Sequence, residues 1–187
     1  MVRELVRSSE VPHDSRSRGG PRRIPVIPCP PLGRTSTVPQ PDLNAAEWLA
    51  SAATDPARLV RRWERDPLDV GLLAVGRWWD VVLAAGTAGR SALDRLTAHG
   101  PRPGPVLADT AGTRVCFLVP PGTAGASFRA GVRVVGAGAW LVAPHPEVTS
   151  RGLRWLVPPD GSGTLTAPSR LAEALPPASP NGLAHYA

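Results

Sequence analysis

The chain has 187 residues, enough for one domain of ordinary size plus an extension. It carries 21 basic residues against 15 acidic ones, a formal charge of +6. Its two cysteines lack the Cys/His spacing of a zinc site, and no apolar run approaches the roughly twenty residues of a membrane helix. Disulfide scaffold, zinc module and membrane helix are thereby disfavoured, and the basic balance points to acidic partners, nucleic acid first among them.

Residues 1–42 read as a disordered Pro/Arg-rich tail. They hold seven Arg against four acids and no sustained helical or strand period. The stretch "PVIPCPP" has PxxP-like spacing but matches a proline-rich linker better than a ligand. Arg and Pro interrupt the N-terminus throughout, so no apolar signal segment is expected and the protein is placed in the cytoplasm, reduced. Cys29 falls in this tail and Cys116 in an apolar run, where it reads as a small buried hydrophobe. The folded domain is expected over 43–178, with a flexible C-terminus at 179–187.

Order begins at "NAAEWLASAA", where Asn44 and Glu47 form a capping-box pattern. "TDPARLVRRWERD" starts a second helix with Asp55 as cap and Pro56 at its first position. Leu59, Val60 and Trp63 lie on one side of it, and Arg58, Arg61, Arg62 and Arg65 read as a solvated face. Strands are predicted over 70–75 and 78–83, joined by a turn at Gly76–Arg77 and both covered by neighbours. Gly86 and Gly89 bracket a turn before the helix "RSALDRLTAHG", which ends at Gly100. Strands follow over 105–108 and 113–119, then a short helix at "AGASFRA". Two more strands flank Gly136-Ala137-Gly138, and "LRWLVPP" and "APSRLAEAL" supply a last strand and helix. Helices, strands, a helix and a strand-rich half indicate an α+β domain on a mixed sheet.

The strand-rich half carries landmarks in order: "VGLLAVGRWWDVVLAAGTAG", "GTRVCFLVPPG", "GVRVVGAGAWLVAPHP" and "LRWLVPP". It resembles the N-terminal domain of bifunctional DNA primase/polymerases, the prim-pol branch of the archaeo-eukaryotic primase superfamily, over roughly residues 44–160. The resemblance implies an RRM-like sheet with helices packed on it and a DNA-directed nucleotidyltransferase activity that uses Mg or Mn. In that family a strand ends in Asp-x-Asp, a later strand carries a His, and a third carries an Asp ahead of a Gly-rich turn. Here the acidic pair falls on Leu83 and Ala85, the histidine on Arg114 and the third acid on Arg133. Two-metal nucleotidyl transfer needs carboxylates to hold its ions; Leu and Ala cannot ligate a hard cation, and a guanidinium repels one.

The reading is a degenerate primase/polymerase-type domain with no catalytic residues and no metal of its own. It is expected to keep a cleft for single-stranded DNA or nucleotide, lined by Arg77, Arg114, Arg133 and Arg154. These four are inferred from charge and location. Two other readings stay open: a regulatory protein that uses the fold as a scaffold to bind another protein, and an active nucleotidyltransferase whose carboxylates (Asp80, Asp109 and a third) are relocated.

Other constellations are weaker. Ser127, His145 and Asp160 lack the G-x-S-x-G turn of a nucleophile elbow, and His145 reads as a loop residue at a strand end. "GTAG" and "GAGA" match no phosphate-binding fingerprint. The tryptophans read mostly as core.

Overall fold

A computed structural model describes residues 6–8, 43–125, 128 and 131–176. Both predicted caps are made. The Asn44 side chain accepts from the Glu47 N–H at 2.8 Å, and the Glu47 carboxylate accepts from the Asn44 N–H at 3.1 Å, opening α1 (Ala45–Ala50). Asp55 accepts from the Arg58 N–H at 2.9 Å, and Pro56 opens α2 (Pro56–Arg65). Leu59 and Trp63 are buried beneath α2. The strands are β1 (Val6–Ser8), β2 (Val70–Ala74), β3 (Asp80–Ala85), β4 (Val106–Asp109), β5 (Arg114–Val119), β6 (Val132–Val135), β7 (Ala139–Pro144) and β8 (Leu153–Val157). Helix α3 (Gly86–Ala98) joins β3 to β4, and α4 (Pro168–Ala174) follows β8.

The architecture is α+β, as the element order predicted. Among the described residues the strands form two sheets, ordered β1-β7-β2 and β6-β3-β5-β4-β8. Every ladder is antiparallel where a mixed sheet was expected. Within the larger sheet, β3 and β4 run parallel with β5 between them and α3 crossing over. That is the split β-α-β arrangement behind the RRM-like order β6-β3-β5-β4. Of the segment 1–42 read as a tail, residues 6–8 form β1 on one edge of β7. Cys29 lies outside the described residues, as do most of the tail, residues 179–187 and most of the short helix expected at 124–130. At the start of that stretch the structure has a 3-10 turn, Thr123–Gly125.

The segments 70–75 and 78–83, read as strands joined by a turn, do not pair with each other. Gly76 does turn the chain, with its N–H donating to the Trp79 carbonyl at 2.7 Å. But β2 pairs with β7, and β3 pairs with β5 and β6, so the chain changes sheet at this turn. It changes back between β6 and β7, and the two crossings touch: a Cβ on Gly76 would stand 2.4 Å from the Ala137 backbone. β2 is also open on one side, with Leu72 59% exposed. The strand predicted at 78 begins at Asp80, because Trp79 turns inward to stack on Trp48 at 5.1 Å between ring centroids.

Gly86 and Gly89 bracket no turn. They occupy the first turn of α3, which starts where β3 stops. A Cβ on Gly86 would lie 1.6 Å from the Gly112 carbonyl oxygen, and one on Gly89 would lie 2.5 Å from Val115 Cβ. The missing side chains let the helix rest directly on the β4–β5 hairpin.

Strand alternation divides the core. Val82, Ala84, Val115 and Phe117 face α3 and α4. Val81, Cys116, Leu118 and Val135 face the other way, toward Trp48, Trp79, Leu73 and Leu141. Burial pushes the Cys116 thiol up to about 12, with the Asp109 charge adding to it, so Cys116 is an inert core residue. No helix among the described residues is long and apolar enough to cross a membrane.

Candidate nucleic-acid interface

Leu83, Ala85, Arg114 and Arg133, the positions onto which the resemblance carries the family's catalytic residues, meet on one face of the larger sheet. In the register, Leu83 stands opposite Arg133 on β6, and Ala85 stands opposite Arg114 on β5. Directly paired residues share a face, as do residues two apart in a strand, so all four lie together on the face away from α3 and α4. Burial falls along β3 on this side. Val81 is fully buried, Leu83 is half-buried and Ala85 is exposed. Arg133 is exposed and Arg114 half-buried, and among the described residues neither has an ion-pair partner. The two arginines rise from strands on either side of β3, their backbone positions offset by two residues along it.

The other two predicted arginines are elsewhere. Arg154 stands opposite Ala108, which puts it on the α3 and α4 face. Its Nε is buried and makes no hydrogen bond. Arg77 lies in the turn before β3, at the far end of the strand from Ala85, with its guanidinium 5.1 Å from the Trp78 ring centroid. Of these four arginines, Arg114 and Arg133 share the face that carries Leu83 and Ala85.

The acids do not converge either. Asp80 faces the same side as Val82 and accepts from the Ala124 N–H at 2.9 Å. Asp109 is on the opposite face, beside Arg114, where it accepts from the Thr113 hydroxyl, the Thr113 N–H at 2.7 Å and the Arg114 N–H at 3.2 Å. Each carboxylate holds a turn. Among the described residues no group of three or more His, Cys, Asp or Glu is placed to hold a metal ion. Leu83, Ala85 and Arg133, where the resemblance would put metal-binding acids, offer no ligand that fits a divalent cation.

Burial raises the Asp109 pKa, but the bonds from Thr113, Arg114 and Gly112 outweigh it, and the net position is below the usual 3.8. A depressed folded-state pKa contributes stability that is present above 3.8 and lost as the pH falls through the lower folded value. Asp109→Asn should remove that contribution. Acid unfolding of the variant below pH 3.8 should be shallower than that of the parent. At neutral pH it should cost about 1–3 kcal/mol, since bonds to an ion are exchanged for bonds to an amide. Parallel stability curves would show that the turn does not depend on the charge.

The weaker constellation is dispersed. Asp160 accepts from Ser162 and lies 3.7 Å from Arg102, and His145 stands edge-on to Trp63 at 5.6 Å. Ser127 lies outside the described residues.

The family model for the bifunctional DNA primase/polymerase N-terminal domain matches residues 21–178. The chain belongs to that family. The match begins inside the segment read as a tail and runs through α4, so it takes in every described strand except β1. No curated protein and no solved structure matches the chain. Two arginines at the exposed end of a sheet face, beside apolar side chains, have the chemistry to grip phosphate directly. Guanidinium binds phosphate in a planar, bidentate geometry that needs no bridging metal.

Sequence reasoning missed a second basic surface. It read Arg58 and Arg62 as a solvated face, but with Arg151 they line a groove on the smaller sheet. Trp140, read as core, is half-buried in that groove. No local signal marks this, because the groove joins α2, β2, β7 and the turn before β8.

Proposed function

We propose that this domain is a primase/polymerase-type module that binds single-stranded nucleic acid and carries out no metal-dependent nucleotide transfer. The carrying observation is that Leu83, Ala85, Arg114 and Arg133 share one face of the larger sheet, at the end of β3 where burial falls away, and bring no carboxylate to the positions where the resemblance would put acids. Arg114 and Arg133 contact phosphates there. Arg77 and Arg154 take no part in this role.

Two assays test the reading. Primer synthesis and extension should be absent with Mg or Mn, and a labelled oligothymidylate should bind at low salt with affinity falling steeply as salt rises. Arg133→Glu should weaken binding about tenfold, while Arg61→Glu on the exposed side of α2 should change it little. Arg62 is the poorer control, since it is paired with Asp69 at 2.5 Å. Metal-dependent incorporation abolished by Asp80→Asn would overturn the proposal. Absence of binding at low salt would favour the scaffold that binds another protein.

A further inference from the structure

The outer face of the smaller sheet is a groove of about 770 Å³. Its floor is apolar and aromatic: Leu72 is paired with Val142, and Trp140 lies on the same face. Leu72 is 59% exposed, unusual for a leucine in the middle of a strand. Arg58, Arg62 and Arg151 line the groove, and the family's catalytic positions do not.

The charges there are not balanced. Asp55 and Asp69 also line the groove, but Asp55 caps α2 and Asp69 is held by Arg62. Among the described residues Arg58 and Arg151 have no carboxylate partner.

Arg151 carries a second signal. It has φ 48° and is followed by Gly152 at φ 75°, in a two-residue turn closed by mutual bonds between Ser150 and Leu153. Such a turn favours Asn-Gly, and a long side chain in the left-handed region is costly. A guanidinium is thus present where local conformation argues for Asn or Gly, at the rim of a groove whose two acids are engaged elsewhere, Asp55 as a helix cap and Asp69 with Arg62.

We propose that this groove is a second binding track for a single strand of nucleic acid, with a base stacked on Trp140 and phosphates on Arg58 and Arg151. A half-buried tryptophan and an exposed leucine in the floor, beside guanidinium groups without a carboxylate partner among the described residues, are the pattern that binds unpaired bases and their backbone together. A duplex would hide its base faces from that floor. The inference rests on the reading that the domain engages nucleic acid, but it names a different surface.

The test is fluorescence anisotropy of a labelled oligothymidylate with the full chain. Trp140→Ala should weaken binding about tenfold, and Trp140→Phe should recover most of it. Arg151→Asn should weaken binding and flatten the salt slope by about 0.7, while raising the melting temperature by about 2–4 °C. A role in folding alone would not give weaker binding together with higher stability. Arg151→Asn keeps the test decisive should Trp140→Ala fail to fold.

Parent-like binding in the groove variants, with losses confined to Arg133→Glu, would overturn this inference and leave the proposed function standing. Losses confined to the groove variants would support the inference and move the site away from Arg133. No oligothymidylate binding would overturn both. Polyglutamate bound more tightly than oligothymidylate, with the same groove sensitivity, would overturn it in favour of an acidic peptide track.

Discussion

Gly86→Ala should destabilise the domain by more than about 3 kcal/mol in urea unfolding, far beyond an ordinary Gly-to-Ala change. The added methyl would sit 1.6 Å from the Gly112 carbonyl oxygen. That atom is backbone, so no rotamer change relieves the clash. The Gly86 N–H also donates to the Thr113 carbonyl at 2.8 Å, so moving the helix away breaks the bond that anchors its start. Gly89→Ala should cost less, about 1–3 kcal/mol, because it meets a side chain, Val115, at 2.5 Å. Adding Val115→Ala should recover part of that loss, so the pair should be non-additive. Gly122→Ala meets nothing within 4 Å but has φ 87°, and should cost only about 1–2 kcal/mol. If Gly86→Ala stayed within about 1 kcal/mol of the parent, α3 would have to stand farther from the hairpin than described.

Trp79→Ala should cost about 3–5 kcal/mol, the second large effect. The ring is fully buried in the layer between the two sheets and stacks on Trp48. Its Nε1 is buried and makes no hydrogen bond. Trp79→Phe therefore keeps much of the packing and removes an unsatisfied donor, and should cost less than about 1.5 kcal/mol. Trp78→Ala should cost about 1 kcal/mol, since Trp78 is 43% exposed and gives up one bond to the Ser51 carbonyl at 3.1 Å. Near-ultraviolet circular dichroism provides a second readout: the Trp48–Trp79 signal should vanish in Trp79→Phe and persist in Trp78→Phe. Equal costs for Trp78→Ala and Trp79→Ala would refute the inward placement of one ring and the outward placement of the other.

The local features were legible in the sequence because their physics is local. Asn44 with Glu47 and Asp55 with Pro56 start helices through bonds to backbone three residues away, and both are made. Family membership was also legible, since the order of landmarks in the strand-rich half resembles the family whose model matches residues 21–178. Tertiary structure decided everything that depends on which side of a strand a residue occupies and which strand lies next to it. Adjacent tryptophans 78 and 79 have the same composition and opposite fates. Arg154 shares a charge with Arg114 but not a face, because one residue of register carries a side chain through the sheet. The segments 70–75 and 78–83 look like a hairpin, but each found its ladder with a strand far along the chain. Arg58 and Arg151 come to one groove only because β7 lies beside β2. Capping and turn chemistry act over a few residues, whereas strand pairing is a competition among all strands, and its outcome is not written in any one segment.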